Sequence, residues 1–209
     1  KEPAVFSILH AAGWPVWPLI LCSVLVLAVI IERLIVLRTA RVLPHQALPQ
    51  ALQASAHGLP NERALSEIEN TGVVGAILGA ALRAWQQDPQ IGDAELRAQM
   101  EMQGRVAAQH LERHLSALGT LASAAPLMGL LGTVVGMIEM FSAQASGIEQ
   151  PAQLAHGISV ALYSTAYGLV VAIPALLFWR YLRARADQHL LALELAADRF
   201  ARHLAQVRR

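Results

Sequence analysis

Three stretches of this chain carry almost no charge: residues 3–31, 115–138 and 150–179. Each is longer than the roughly 20 residues that a helix needs to cross the hydrocarbon core of a bilayer. Hydrocarbon offers the backbone no hydrogen-bond partner, so a segment that enters it must satisfy its own N–H and C=O groups, as a helix does. A fourth apolar run, residues 73–82, is about half that length and predicts a packed soluble or interfacial helix. Charged residues make up 15% of the 209 residues and hydrophobic ones 55%, whereas a soluble domain carries about 25% charged residues. The expected fold class is an all-α integral membrane protein with three transmembrane helices and long cytoplasmic helical extensions.

Orientation follows from the basic residues. Lys1 is the one lysine or arginine before the first span, and residues 143–156 contain neither. Arg38, Arg41, Arg63, Arg83, Arg97, Arg105 and Arg113 lie between spans one and two, and a second group begins at Arg180 after the third. By the positive-inside rule the N-terminus is periplasmic and the middle segment and C-terminus are cytoplasmic. The net charge of +1 hides this asymmetry, which speaks for membrane orientation and against nucleic-acid binding. The lone cysteine, Cys22, falls in the first span, so no intramolecular disulfide is available. No small-residue cleavage site follows the first apolar run, so a signal peptide is not expected.

The expected order is a periplasmic amphipathic helix (1–14), a first span (15–37), a cytoplasmic helical domain and stalk (38–118), a second span (119–142), a periplasmic loop (143–155), a third span (156–181) and a cytoplasmic C-terminal helix (182–209). Trp14 and Trp17 suit the headgroup level at the start of the first span. Glu32 and Arg33, at its other end, are expected to snorkel or to pair with each other. Helix breaks are expected at Pro44, at Gly58 to Pro60, at Gly72, and from Asp88 to Gly92. Asp93 reads as an N-cap with Glu95 in the first turn. No strong breaker follows until Pro126, which predicts one helix from Asp93 to about Ser142, roughly 75 Å long. Pro174 is expected to kink the third span.

Within the second span Gly129, Gly132 and Gly136 recur at three- and four-residue spacing, which makes one smooth helix face where another backbone can approach. Ala161, Ser164, Thr165, Gly168 and Ala172 fall close to one face of the third span, and the short connection makes the two helices antiparallel neighbours. Thr133 and Thr165 each lie about ten residues from the loop, roughly 15 Å deep. Two readings stay open: the hydroxyls line one polar spot, or each bonds a carbonyl of its own helix. No ionisable residue occupies the middle third of any span. If the chain handles protons, a partner must supply the titrating carboxylate. His110 and His114 flank Glu112 in an order that is not H-E-x-x-H, so no metal site or cofactor is expected, and Tyr163 and Tyr167 read as packing residues. No nucleophile elbow or glycine-rich phosphate loop is present, and the chain is not expected to be an enzyme.

Two segments carry a wider resemblance. Residues 125–138, Ala-Pro-Leu-Met-Gly-Leu-Leu-Gly-Thr-Val-Val-Gly-Met-Ile, and 157–174, Gly-Ile-Ser-Val-Ala-Leu-Tyr-Ser-Thr-Ala-Tyr-Gly-Leu-Val-Val-Ala-Ile-Pro, resemble the second- and third-span signatures of the ExbB/TolQ/MotA proton-channel family. Trp14-Pro-Val-Trp-Pro-Leu-Ile-Leu-Cys-Ser and Ile31-Glu-Arg-Leu are similar to the first span of its ExbB and TolQ branches, ExbB above all. The resemblance implies a homopentamer whose second and third spans surround a dimer of ExbD-like or TolR-like single-span proteins, each bringing one membrane aspartate. It implies that Thr133 and Thr165 face that aspartate, and that proton flow drives rotation passed to a TonB-like or TolA-like protein. One position departs from the pattern: ExbB and TolQ commonly carry a glutamate five residues before the third-span threonine, where Val160 stands here. Glu139, at similar depth on the neighbouring helix, is the candidate to take over that role. The expected function is an ExbB-like motor subunit energising TonB-dependent transport, with a TolQ-like subunit of envelope maintenance or a structural oligomeric scaffold as alternatives. A secondary transporter is disfavoured by the lack of an inverted repeat and of a central charge.

Overall fold

The computed structural model describes residues 14–56, 58–145 and 151–208. Every regular element among them is an α-helix: α1 (Val16–Val36), α2 (Thr39–Val42), α3 (Ala47–Ser55), α4 (Glu62–Glu69), α5 (Gly72–Gln87), α6 (Asp93–Glu112), α7 (Leu115–Ala145) and α8 (Pro151–Val207). Three stretches are long and apolar enough to cross a membrane: α1, one within residues 93–142 and one within 155–207. The amphipathic helix expected over residues 1–14 lies, except for Trp14, outside the described residues, as do residues 146–150 of the expected loop.

The chain divides into two compact units. The first comprises residues 1–32 and 114–181. In it α7 runs antiparallel to α1, with Cys22 beside Met128 and Glu32 beside His114. It also runs antiparallel to α8, with Gly129 against Gly168 and Gly136 against Gly157. α1 buries one stripe, Val16, Leu19, Cys22, Val26 and Ile30, at the spacing of a single helix face. Its other faces expose Trp17, Leu21, Val24, Leu25, Leu27 and Ile31. Such a surface would be costly in water and suits lipid.

The second unit comprises residues 33–113 and 182–209. α5 lies at its centre and buries Val74, Ile77, Leu78, Ala81, Leu82 and Trp85, so the apolar run too short to span forms a core instead. α6 and the end of α8 run antiparallel, with Leu96, Met100 and Leu111 buried on one and Leu193, Phe200 and Leu204 on the other. Ion pairs follow the same register: Arg183–Glu112 at 3.1 Å, Arg97–Asp198 at 3.7 Å and Arg208–Asp93 at 3.1 Å. At the far end the Arg208 guanidinium also donates to the Ile91 carbonyl and lies 5.6 Å over the Trp85 ring. Asn61 caps α4, its side-chain oxygen accepting from the Ala64 N–H at 2.8 Å.

The unbroken helix expected from Asp93 to Ser142 does not form. α6 stops at Glu112, and His114 adopts φ 61°, the one left-handed non-glycine residue among those described. Neither glycine nor proline marks the stop, because its causes are distant in sequence. The buried Arg33 guanidinium donates to the His110 carbonyl at 3.0 Å and the Leu111 carbonyl at 3.4 Å. These are oxygens of the last turn of α6, where the helix dipole favours a cation. His114 Nδ1 stands 2.8 Å from Glu32 Oε2. Glu32 and Arg33 therefore hold other helices rather than snorkelling or pairing only with each other. The end of α1 is held similarly, with Arg185 Nε donating to the Leu37 carbonyl at 3.1 Å and His189 Nε2 3.0 Å from the same oxygen.

Two smaller expectations also change. Gly92 is the N-cap of α6, and Asp93 is the first helical residue, its carboxylate taken by Arg208. Residues 143–145 and 151–155, expected in the loop, are helical; Pro151 opens α8, where its missing N–H leaves no bond unmade. α8 passes through Pro174 without a break in its helix.

Candidate functional site

The site is built on the contact between α7 and α8. A Cβ added at Gly129 would stand 2.9 Å from the Ser164 carbonyl oxygen, one at Gly136 3.0 Å from the Gly157 carbonyl oxygen, and one at Gly168 2.8 Å from the Ala125 carbonyl oxygen. At Gly132 it would overlap the Ser164 side chain. The distances at Gly129, Gly132 and Gly168 are shorter than real contacts allow and that at Gly136 is tight, so the two backbones meet this closely because these residues lack side chains. Lipid tails are as apolar as leucine, and in such surroundings close packing of this kind drives helix association.

That contact line has two flanks. At about 100° per residue, Thr133 turns roughly 60° from the centre of the α7 contact face, and Thr165 turns roughly 70° from that of α8. Because the helices are antiparallel, both turns lead to the same flank. α1 covers the opposite one: Pro15 approaches Gly132, and Cys22 Sγ lies 3.6 Å from Met128 Sδ. Val160 and Val171 lie toward that covered flank and are 2% and 7% exposed. Among the described residues the threonine flank has no such cover. Its side chains Leu130, Met137, Ile158 and Leu169 are exposed, and no acidic or basic residue occurs in 115–138 or 157–179.

The Thr133 hydroxyl donates to the Leu130 carbonyl of its own helix at 2.6 Å. Thr165 Oγ1 reaches across to the Gly129 carbonyl at 3.4 Å, a long contact. Thr133 thus bonds its own helix, whereas Thr165 bonds the neighbouring one. Gly132 stands opposite Ser164, which staggers Thr133 and Thr165 by about two residues, roughly 3 Å along the axes. A third hydroxyl, that of Ser164, is not set apart by sequence spacing. Ser164 is fully buried against Gly132, and its oxygen has no hydrogen-bond partner among the described residues. Its place among small residues of one face was the available signal, but spacing alone does not distinguish a buried hydroxyl from a half-buried one.

Glu139 is not brought to the threonines. It is exposed and six residues beyond Thr133, which turns it about 120° away, toward the flank that carries Val160. Pro174 is exposed. His110 lies in the last turn of α6, whereas His114 lies in the break that separates α6 from α7. Among the described residues no group of three His, Cys, Asp or Glu side chains could hold a metal ion. Tyr163 is 42% exposed rather than packed within the unit.

Comparison with known proteins agrees with the three apolar helices. The model of the MotA/TolQ/ExbB proton channel family matches residues 69–195, which include the whole of the α7–α8 contact. Biopolymer transport protein exbB1 of Vibrio cholerae serotype O1 is 33% identical over 187 residues, covering 87% of this chain and 80% of that protein. The ExbB of Aquifex aeolicus is 36% identical over 87 residues, 41% of this chain and 59% of that protein. The Tol-Pal system protein TolQ of Pseudomonas aeruginosa is 37% identical over 94 residues, 44% of this chain and 40% of that protein. With a family match over more than half its length and an ExbB relative aligned over most of the rest, the chain belongs to the MotA/TolQ/ExbB proton channel family.

Proposed function

We propose that this chain is an ExbB-like subunit of a proton-motive-force-driven motor in the bacterial inner membrane, energising TonB-dependent transport across the outer membrane. The observation that carries this reading is the uncovered threonine flank. Two hydroxyls at nearly one depth stand on a hydrocarbon face without an ionisable group, opposite the flank that α1 occupies. A hydroxyl can donate to a carboxylate and accept from a carboxylic acid, so it can solvate a carboxyl in both protonation states. In this reading an ExbD-like single-span protein supplies a membrane aspartate against Thr133 and Thr165. Thr133 then turns its proton from the Leu130 carbonyl to the carboxylate, and the long Thr165–Gly129 contact leaves the second hydroxyl free to do the same. Five copies surround the partner, with the N-terminus periplasmic and the C-terminus cytoplasmic. The chain catalyses no reaction of its own. One elementary charge crossing 100 mV releases about 2.3 kcal/mol, so several protons are needed to remodel a folded TonB-like protein, and the device cycles.

The test is co-purification with the single-span partner, followed by proton flux in liposomes for wild type and for Thr133→Val/Thr165→Val. Partner-dependent flux that falls at least tenfold in the double variant supports the reading. Unchanged flux removes the hydroxyls from the mechanism, and no flux with the partner present favours a structural scaffold. A TolQ-like role in envelope maintenance, with TolR-like and TolA-like partners, is the second reading. It is favoured by the TolQ similarity over 94 residues, and is distinguished by which single-span protein supports flux. Glu139→Gln tests the outer carboxylate: flux and energised uptake equal to wild type would remove it from the route.

A further inference from the structure

The arginines fall into two groups. Away from the span ends most are engaged: Arg63 with Glu67, Arg83 with Glu69, Arg97 with Asp198, Arg105 with Glu101 and Arg208 with Asp93. The Glu69 and Glu101 carboxylates, hydrogen-bonded to Arg83 and Arg105, raise the pKa of each guanidinium. Arg38, Arg41 and Arg113 differ. All three are exposed, and none has a hydrogen bond or ion pair through its side chain with a described residue. They belong to one unit and to one end of it, because Arg33 joins the end of α1 to the last carbonyls of α6.

That end is where apolar helix gives way to polar chain. α1 has 21 residues, about 31 Å of helix at 1.5 Å per residue, which matches the roughly 30 Å hydrocarbon core. With exposed Trp14 and Trp17 marking one boundary, Val36 marks the other, and Arg38 and Arg41 fall at the headgroup level. Arg113 lies two residues before α7, the second apolar helix. Local sequence supplies no counter-ion for the first two, since residues 33–61 contain neither Asp nor Glu. Phosphate is the anion present at that depth, and the planar guanidinium fork matches its oxygens.

We propose that Arg38, Arg41 and Arg113 bind anionic phospholipid headgroups of the phosphatidylglycerol type in the leaflet where α1 and α7 leave the hydrocarbon. The inference rests on the apolar helices spanning a bilayer and is independent of the motor reading. Arg199 shows that an unengaged arginine alone is not enough, since it lies far along α8 from any span end. Three unneutralised charges at a membrane surface, each adding about fivefold in affinity, also explain why these positions go without protein partners.

The experiment uses the full chain in mixed micelles, reading energy transfer from its tryptophans to pyrene-labelled phosphatidylglycerol, with pyrene-labelled phosphatidylcholine as control. Wild type should prefer phosphatidylglycerol, and Arg38→Gln/Arg41→Gln/Arg113→Gln should weaken that binding on the order of a hundredfold. The corresponding triple Lys variant should keep most of it. Arg63→Gln/Arg105→Gln, which removes two arginines already paired, should leave it within twofold. Equal binding of the two lipids, or undiminished binding by the glutamine variant, overturns the proposal. So does displacement by millimolar inorganic phosphate, which would mark a site for the free anion.

Discussion

The two units hold their helices together by a different balance of contacts. In the unit formed by α1, α7 and the first part of α8, the closest contacts are backbone on backbone, at Gly129, Gly132, Gly136 and Gly168. In the unit formed around α5 and α6, helices meet through large buried side chains such as Leu82, Leu111 and Phe200, and arginines satisfy or pair at their ends. The solvent explains the difference. Water rewards every leucine that leaves it, whereas lipid rewards none, and only close packing and hydrogen bonds remain to favour association. A glycine's role follows from what faces it, and the second unit has close approaches of its own, at Gly75 against the Ile68 carbonyl and at Gly79 against the Glu69 side chain. Gly104 on α6 has nothing within 4 Å of where a Cβ would stand, while Gly132 on α7 has Ser164 there.

This contrast can be broken at named positions. The largest expected effect is Phe200→Ala, which empties a fully buried site at a cost of about 3–5 kcal/mol. Hydrogen exchange should report lost protection in α5, α6 and the end of α8, with α1 and α7 little changed; equal loss in α7 would show that the units are not separately stabilised. Next comes Gly132→Ala, where overpacking costs about 1–3 kcal/mol. It should lower thermal stability and reduce any partner-dependent proton flux, and a Ser164→Gly change made with it should restore part of both. Gly104→Ala should have the opposite sign, stabilising by about 1 kcal/mol through helix propensity, seen as a higher melting temperature. The smallest stability effect is expected for Thr133→Val, within about 1 kcal/mol, because its hydroxyl bonds only its own helix. A large melting shift there would mean that Thr133 is structural, and the functional reading of its flank would lose its support.

The family model meets the α7–α8 region, and the residues that carry the resemblance are those whose chemistry the bilayer constrains. Val160 remains a departure with a physical setting. It is buried on the flank that α1 covers, where a carboxylate would need a partner or water to offset its desolvation. Glu139 lies toward the same side but exposed, so an acidic group there is less costly to ionise.

Composition and periodicity alone determined three apolar helices, the antiparallel hairpin of the second and third, and the glycine face between them. These depend on local quantities: the length of a charge-free run, 3.6 residues per turn and a short connection. Which flank of the hairpin stays open could not be read that way, because it depends on where α1 packs, and α1 touches α7 more than 100 residues away at Cys22 and Met128. The break at His114 was hidden for the same reason. Residues 93–142 contain no stop signal before Pro126, and the helix ends where Arg33 takes its last carbonyls and Glu32 holds His114. Propensity is a sum over neighbours in sequence, whereas these are single contacts between distant residues, which only the tertiary structure brings together.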